Sequence, residues 1–586
     1  MVLSEKTAGD ELNSRMASFL EASNHPSGKD LPRLREELRK SMGLDETNFS
    51  AFMVLYDSFK NPQPKTRVEI FSHSGNTPGR SVAYPTAIAP KDILAKLPFV
   101  SYANLLSRLS EFKPLATRTT LWVKKMQAGT GSTVVRDDYL QAARANTGET
   151  LKIGAKGTDL YASVANADGT VVQRALAELQ VLQLLRAEKQ NEFGEIVFQD
   201  LVSTETEEAL ERIWAKEPSA KRFEKFVQAQ VPSLDESQKL SLNRTAPSGH
   251  WIFAVDALRA ALHDRYRPKS NCEHLVAAIG NGEDLSSTPD PAMVGWMLKE
   301  KIPIVMVTTE KTSNDLKGGQ ISLVEDHVSI IEQAQAKEAG QLELFEQLGV
   351  TVKNDDQIAF FNTNMALFNY EVLVPQLQAL ATEIGEHAFL DLLAPDLIMN
   401  WKEQTDDDGM ARKYLQIEGA MGSSLLNFDR YWRRRFGKPL VHFINVESQF
   451  RTQFFSPIKT AFDYFMQFHS DKFHLNPKTF RLESRGKSGL PLINLKDEET
   501  KDQYYADVSN ILTGFEGTAI GDLESLNISG KVSARGMVLS GKVVIENHLN
   551  EVVNVASMTL RETGGRTLRN QKLVVDSRGR PTVTEL

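Results

Sequence analysis

Met126-Gln127-Ala128-Gly129-Thr130-Gly131-Ser132-Thr133 follows the apolar Thr120-Leu121-Trp122-Val123, so the spacing predicts a strand running into a glycine-rich turn. Gly129 and Gly131 give such a turn access to left-handed conformations and leave backbone N–H groups open to an anion. That chemistry is phosphate binding, with a plain turn as the other reading. Gly280-Asn281-Gly282-Glu283-Asp284 puts adjacent carboxylates in a loop, suited to a hard cation such as Mg²⁺ or to an acidic surface turn. In Pro247-Ser248-Gly249-His250 the glycine permits close backbone approach, and the imidazole can donate to a phosphate or base edge; a capping or core histidine is the alternative. Lys317-Gly318-Gly319 can set an ammonium beside a phosphate or sugar, or turn a hairpin. Ser456-Pro457-Ile458-Lys459-Thr460 presents a lysine after a rigid turn.

Nucleophilic catalysis leaves no trace. There is no Gly-x-Ser-x-Gly elbow, no Cys/His metal spacing and no complete Gly-x-x-x-x-Gly-Lys-Ser/Thr loop. Asp406 to Asp408 lack the ligand spacing of a calcium loop. Cys272 is the only cysteine, which excludes an internal disulfide framework and, with the Met-Val-Leu-Ser-Glu-Lys start, predicts a cytoplasmic protein. No apolar run reaches bilayer length, so no membrane partner is expected. A net charge of −8 argues against general nucleic-acid binding. The cluster Arg430 and Arg433 to Arg435 reads as a solvated helix face or a set of internal salt-bridge partners.

The elements that must hold these residues follow from periodicity, and 586 residues call for two or three domains. Leu31, Leu34, Leu38 and Met42 place an apolar stripe on an N-terminal helix. Residues 61–90 read as loop, and Lys91 to Leu109 as helix. Strands are predicted at Thr120 to Val123, Glu195 to Phe198, Leu275 to Ile279, Ile302 to Thr308, Ile358 to Asn362 and Leu440 to Val446. Amphipathic segments between them predict an α/β fold with a mostly parallel sheet covered by helices. One such helix is expected to begin after Asp168-Gly169 and to carry Val172, Leu176, Leu179 and Leu182. Open sheets of this kind bind ligands at the carboxyl ends of their strands, so the glycine turn and the Gly280 loop can face one cleft. Near the C-terminus, Leu526, Val532, Val538 and Val544 recur every six residues, which fits a parallel β-helix or one face of an antiparallel sheet.

Read together, these pieces resemble the eukaryotic-type UTP:glucose-1-phosphate uridylyltransferase (UDP-glucose pyrophosphorylase) family. The match lies in Val307-Thr308-Thr309-Glu310-Lys311-Thr312-Ser313-Asn314-Asp315-Leu316-Lys317-Gly318-Gly319, then Ile330-Ile331-Glu332-Gln333-Ala334-Gln335, then Phe361-Asn362-Thr363-Asn364. These are similar, in order and distance, to the family's Asn-Lys-Thr…Asp-Val-Lys-Gly-Gly, Leu-Glu-Ile-Ala-Gln and Phe-Asn-Thr-Asn segments. The resemblance implies a Rossmann-like nucleotidyltransferase mixed sheet with helices on both faces, plus a C-terminal left-handed parallel β-helix. It divides the chain into an N-terminal helical region (1–115), a catalytic domain (116–505) and the β-helix (506–586), with a homo-oligomer formed through that last domain. It implies UTP and a sugar 1-phosphate as substrates and Mg²⁺ as cofactor. Gly129 and Gly131 would cradle the nucleotide, while Gln228 and Gly249 meet the base. His250, Lys317, Gly318, Glu332, Asn362 and Asn364 would meet the sugar phosphate. Lys459 would lie near the phosphates, and Glu283 would hold the metal.

One segment departs from the family. Its Gly-Cys-Lys-Gly-Pro-Lys-Ser appears here, after an insertion, as Gly154-Ala155-Lys156-Gly157-Thr158-Asp159-Leu160, so a lysine becomes Asp159. Lys156 or Arg136 is expected to supply the missing cation. Three functions stay open: synthesis of UDP-glucose from UTP, the same chemistry on an N-acetylhexosamine or a broad range of sugars, or nucleotide binding with weak catalysis.

Overall fold

The computed structural model describes residues 5–23, 30–61, 82–85, 99–131, 133–147, 153–165, 169–312, 314–315, 318–324, 327–338, 340, 342–347, 360–405, 409–485, 490–497 and 503–586. A mixed sheet forms its centre, with the path Phe99–Ser101, Val441–Val446, Ile304–Glu310, Phe360–Asn369, His274–Asn281, Thr119–Met126, Glu195–Ser203 and Phe226–Gln228. Phe360–Asn369 runs antiparallel to both neighbours, and every other pairing on this path is parallel. A hairpin of Gln320–Val324 and His327–Ile331 branches from it, and Val82–Pro85 pairs with its first strand.

The strands read as near-continuous apolar runs because the sheet is covered on both faces. Alternate residues of one strand enter different cores. Trp122, Ala277, Ile279, Ile304, Met306 and Phe368 join a core with helices Ile252–Leu262, Tyr370–Ile384 and Met421–Phe436. Leu121, Val123, Val276, Ala278, Val305 and Leu367 join another with helices Leu109–Ala116 and Pro291–Lys299. The N-terminal helices are not peripheral, since Leu12, Met16, Leu38, Phe49 and Phe52 are buried in the first of these cores. A second, antiparallel sheet of four strands, ordered Leu397–Thr405, Ala411–Gly419, Gln230–Leu234 and Leu240–Pro247, flanks the main one.

All six predicted strands form, but the second runs on from Phe198 to Ser203 and the fifth from Asn362 to Asn369. Residues 358–359 of the fifth strand and 91–98 of the helix expected over Lys91 to Leu109 lie outside the described residues, as does most of 61–90; within that expected helix Phe99–Ser101 is a strand, and helix runs only over Tyr102–Ser107 before a second begins at Leu109. The helix expected after Gly169 begins instead at Leu176 and runs to Lys189; Val172 belongs to Val171–Ala175, which pairs antiparallel with Tyr161–Ala165. Spacing misled there because Val172 is also four residues from Leu176. The arginine cluster ends helix Met421–Phe436, with Arg433 paired to Asp429 at 2.5 Å and Arg435 paired to Glu383.

At the C-terminus, strands Leu492–Lys496, Leu523–Ser529, Val538–Asn547 and Thr567–Val575 stack in parallel, and Pro581–Glu585 closes the row antiparallel. The interior is built by Leu526 against Val543, and by Ile528, Ile545 and Leu573 in one line. The six-residue stripe does not extend through it: Val538 is exposed and Val544 half-buried. Bulged pairings near Ser525 and between Ser540 and Val543 shift the alternation that regular spacing assumes.

Candidate functional site

At the carboxyl edge of the parallel strands, where the antiparallel Phe360–Asn369 begins, lies a cleft of about 370 Å³. Gly249, His250, Glu283, Gly318, Glu332, Asn362, Asn364 and Lys459 all line it, together with Asn281, Phe361, Glu418, Gly419 and Phe455. Residues more than 200 positions apart in sequence therefore share one surface. Lys317 lies outside the described residues.

The floor is shaped by a bulge. Val307 pairs with Met365, but its neighbour Thr308 pairs with Asn362, so Thr363 and Asn364 bulge out. Asn364 has φ +61°, a left-handed conformation that asparagine tolerates better than most side chains. Its Oδ1 accepts from Asn362 Nδ2 at 2.8 Å, which fixes both amides toward the cleft. Asn281 Nδ2 donates to Thr363 O at 3.2 Å and ties the neighbouring loop to the bulge.

One wall is Ser248-Gly249-His250. Gly249 has φ +85°, and a Cβ there would sit 2.4 Å from Gly419 O, so only glycine lets the two loops touch. Gln228 Nε2 donates to Gly249 O at 2.7 Å and holds this wall from behind. His250 Nδ1 accepts the Met421 N–H at 3.2 Å, at the start of helix Met421–Phe436. Burial pushes the His250 pKa down to about 4, against a small opposing pull from Glu283. The ring is therefore neutral near pH 7, with its proton on Nε2, free to donate. Glu332 moves the other way: burial, then the nearby Asp396, raises its pKa to about 7.

The opposite wall carries the cations. Lys459 precedes helix Ala461–Phe468, whose capping box links Thr460 and Asp463; Asp463 Oδ2 also accepts the Lys459 N–H at 3.0 Å. Lys459 Nζ lies 4.8 Å from the centre of the Phe361 ring and 5.5 Å from that of Phe455. Burial lowers its pKa, Asp315 opposes that, and Arg451 reinforces it. Lys156 Nζ donates to Ile458 O and lies 3.5 Å from Glu283 Oε1.

The glycine turn sits beside these groups. Gly282 N donates to Met126 O at 3.1 Å, and Thr133 Oγ1 to Lys459 O at 3.4 Å. Gly131 has φ +66°, and a Cβ on it would lie 2.7 Å from Lys156 Cγ, so the lysine stem runs directly beneath the turn. Gly129 has open space around it.

Arg136 is a correction. Its Nε and Nη2 hold Asp159 Oδ2 at 3.1 and 2.9 Å; Nη1 donates to Gly131 O and Val134 O, and Nη2 also to Thr130 O and Gly154 O. All five guanidinium N–H groups are thus engaged inside the protein. Arg136 has no donor left for a phosphate, and Asp159 is neutralised rather than aimed at one. Lys156 remains as the nearby cation. Sequence reasoning passed over Arg451 and the role of Asp315, which pair at 2.8 Å behind Lys459. Asp315 did stand within the Lys311 to Gly319 segment, but nothing local pointed to Arg451 as its partner.

Among the described residues no group of three or more His, Cys, Asp or Glu side chains is arranged to hold a metal ion. Glu283 offers one quarter-exposed carboxylate at the cleft. Its neighbour Asp284 is fully buried, accepting from Ser286 N at 2.8 Å and Ser456 N at 3.0 Å.

Against known proteins, the family model described as UTP--glucose-1-phosphate uridylyltransferase matches residues 153–539, more than half of the chain. The match begins after the glycine turn and includes the departing segment Gly154 to Leu160. The UTP--glucose-1-phosphate uridylyltransferase of Musa acuminata is 28% identical over 270 residues, 46% of this chain and 48% of its own length. That of Saccharomyces cerevisiae is 25% identical over 276 residues, 46% of each. The chain thus spans about half the length of the curated relatives it matches. Among solved structures, the UDP-glucose phosphorylase from Trypanosoma brucei superposes with a TM-score of 0.60 at 20% identity, covering 92% of this chain and 98% of its own. The UDP-glucose pyrophosphorylase from Leishmania major gives 0.59 at 18%, with the same coverage. These likenesses show the shared mixed α/β fold.

Proposed function

The chain belongs to the UTP--glucose-1-phosphate uridylyltransferase family, and we propose that it joins UTP to glucose 1-phosphate, forming UDP-glucose and pyrophosphate. A phosphate oxygen of the sugar 1-phosphate attacks the α-phosphorus of UTP, and the bond to the β-phosphate breaks as pyrophosphate leaves. No covalent enzyme intermediate is needed. Catalysis is alignment of two anions and stabilisation of charge at the transferring phosphorus. The observation that carries this reading is the convergence of Lys459, His250, Glu332, Asn362 and Asn364 on one cleft, with Lys156 and the glycine turn beside it.

Lys459 and Lys156 supply positive charge, and the turn at Gly129 and Gly131 supplies backbone N–H groups for the triphosphate. Gln228 holds Gly249, whose backbone faces the base. Neutral His250 donates from Nε2 to a phosphate oxygen without adding a competing charge. Glu332, Asn362, Asn364 and Gly318 face the sugar. Mg²⁺ is taken up through few carboxylates together with substrate phosphates, and the quarter-exposed carboxylate of Glu283 fits that mode. When bound, the ion would neutralise phosphate charge.

The parallel C-terminal stack supports a left-handed β-helix, through which a second copy would join. Light scattering on the full chain tests that association. The lone Cys272 fits a reducing, cytoplasmic setting.

The deciding experiment measures UTP-dependent pyrophosphate release with a panel of sugar 1-phosphates. Glucose 1-phosphate is expected to give the highest kcat/KM, and failure of every sugar 1-phosphate to release pyrophosphate would overturn the proposal. Loss of one preorganised charge stabiliser typically lowers kcat by about 10² to 10³, which is the expectation for Lys459→Ala.

A further inference from the structure

Lys459 reaches the cleft with a buried ion pair behind it. Asp315 and Arg451 have side chains only 2% and 5% exposed and pair at 2.8 Å, Arg451 Nη2 to Asp315 Oδ1. Arg451 Nη1 is anchored on Glu310 O at 2.8 Å, at the end of a central strand. The other carboxylate oxygen, Asp315 Oδ2, accepts Thr312 N–H at 2.9 Å and Thr312 Oγ1 at 2.7 Å. Lys459 Nζ stands off at 3.7 Å from Oδ1, and its side chain is 36% exposed. A carboxylate already holding a guanidinium and two other donors is a weak claimant on a further cation.

We infer that Arg451 is a positioning residue that keeps Asp315 from capturing Lys459, so that the trio presents one net positive charge, carried by Lys459, to phosphates in the cleft. The inference rests on the reading of Lys459 as the phosphate-facing cation and adds what holds it ready. Without Arg451 the buried carboxylate would retain one lysine within reach. In a poorly screened interior it would draw that lysine in and cancel its charge. Without Asp315 the guanidinium and the ammonium would repel each other across the same gap. Asp463, from the helix that Lys459 precedes, and Glu283, from the loop after strand His274–Asn281, also face Lys459, and the Lys156 ammonium sits on Ile458 O beside it. All three stay in place in either variant, so the two substitutions act on Lys459 with opposite sign.

The test uses the full-length chain and follows acylation of Lys459 by mass spectrometry as a function of pH, a readout that needs no turnover. Arg451→Met is expected to move the labelling midpoint upward and Asp315→Asn downward, each by about 1 to 3 pH units, the range for a charge at this distance. Both are expected to lower kcat at least tenfold, with Arg451→Lys recovering part of it. Thr312→Val, which removes one donor from Asp315 and leaves the pair intact, guards against misfolding of the other two. It is expected to raise the midpoint by less than Arg451→Met. An unchanged midpoint in Arg451→Met, or in Thr312→Val if Arg451→Met does not fold, overturns the inference. Full turnover in Lys459→Ala would instead remove the reading on which it rests.

Discussion

Arg136 and Asp159 neutralise each other in the interior, 2.9 Å apart with side chains 2% and 5% exposed, directly under the glycine turn. The position where the family pattern carries a lysine is thus part of a brace, with Gly154 N also donating to Asp159 at 2.9 Å. Restoring the family residue here should damage the protein. Asp159→Lys would set a second cation against Arg136, and Asp159→Asn would leave the arginine without its counter-charge. Breaking a buried pair costs about 3–5 kcal/mol. Urea unfolding is expected to show a loss of this order in both variants, larger for lysine, with no gain in pyrophosphate release from the added charge.

His250 links stability to acidity. Its folded pKa of about 4 lies below the ordinary 6.5, so the unfolded chain takes up a proton first as pH falls. Its contribution is constant above about pH 6.5 and is lost between there and pH 4, reaching about 3 kcal/mol. In His250→Gln the unfolding midpoint should depend less steeply on pH across that window. A parallel slope in the two proteins would show that the imidazole is not held neutral.

Glu332 offers a pH signature in binding. Its carboxyl titrates near pH 7 in the folded protein, and the ionised form accepts hydrogen bonds from sugar hydroxyls more strongly than the acid. The KM for glucose 1-phosphate should therefore fall as pH rises through 7, beyond what ionisation of the substrate causes. Glu332→Gln should lose that extra component, as steady-state kinetics from pH 6 to 8 would reveal.

Asn48 brings the N-terminal helices to bear on the cleft. From helix Glu46–Lys60 its Nδ2 donates to Val227 O at 3.0 Å and its Oδ1 accepts Ala229 N at 2.8 Å, bracketing Gln228. The bracketed residue in turn holds Gly249. Asn48→Ala should raise the KM for UTP several-fold and leave that for the sugar phosphate little changed. Equal rises in both constants would mean that the helix merely stabilises the fold.

Much of the scaffold was legible because strands buried on both faces leave unbroken apolar runs, as in Ile302 to Val307. The cleft was legible in part, because residues such as Asn362 and Glu332 stand in short motifs whose order survives distant divergence. The exchange of partners at Arg136 was not. A guanidinium facing an anion and one facing a phosphate look alike until the surrounding carbonyls are counted. Nor did spacing disclose Asp315 and Arg451 as a pair, since 136 positions separate them. The left-handed Asn364 escaped for a related reason: a bulge is a mismatch between two strands and cannot be read from one.

The C-terminal strands share one core with the ground beneath the glycine turn. Val134, Leu160 and Leu176 pack with Ile528, Leu539 and Leu573, and Val135 exchanges backbone hydrogen bonds with Ala506 and Val508 at 2.8 and 3.0 Å. The tail is therefore not an interchangeable module. A chimera that grafts another family member's C-terminal segment onto this chain would inherit a mismatched seam against the loop proposed to grip the triphosphate. Changes confined to that seam would become a route for retuning the loop from a distance, without altering any residue of the cleft.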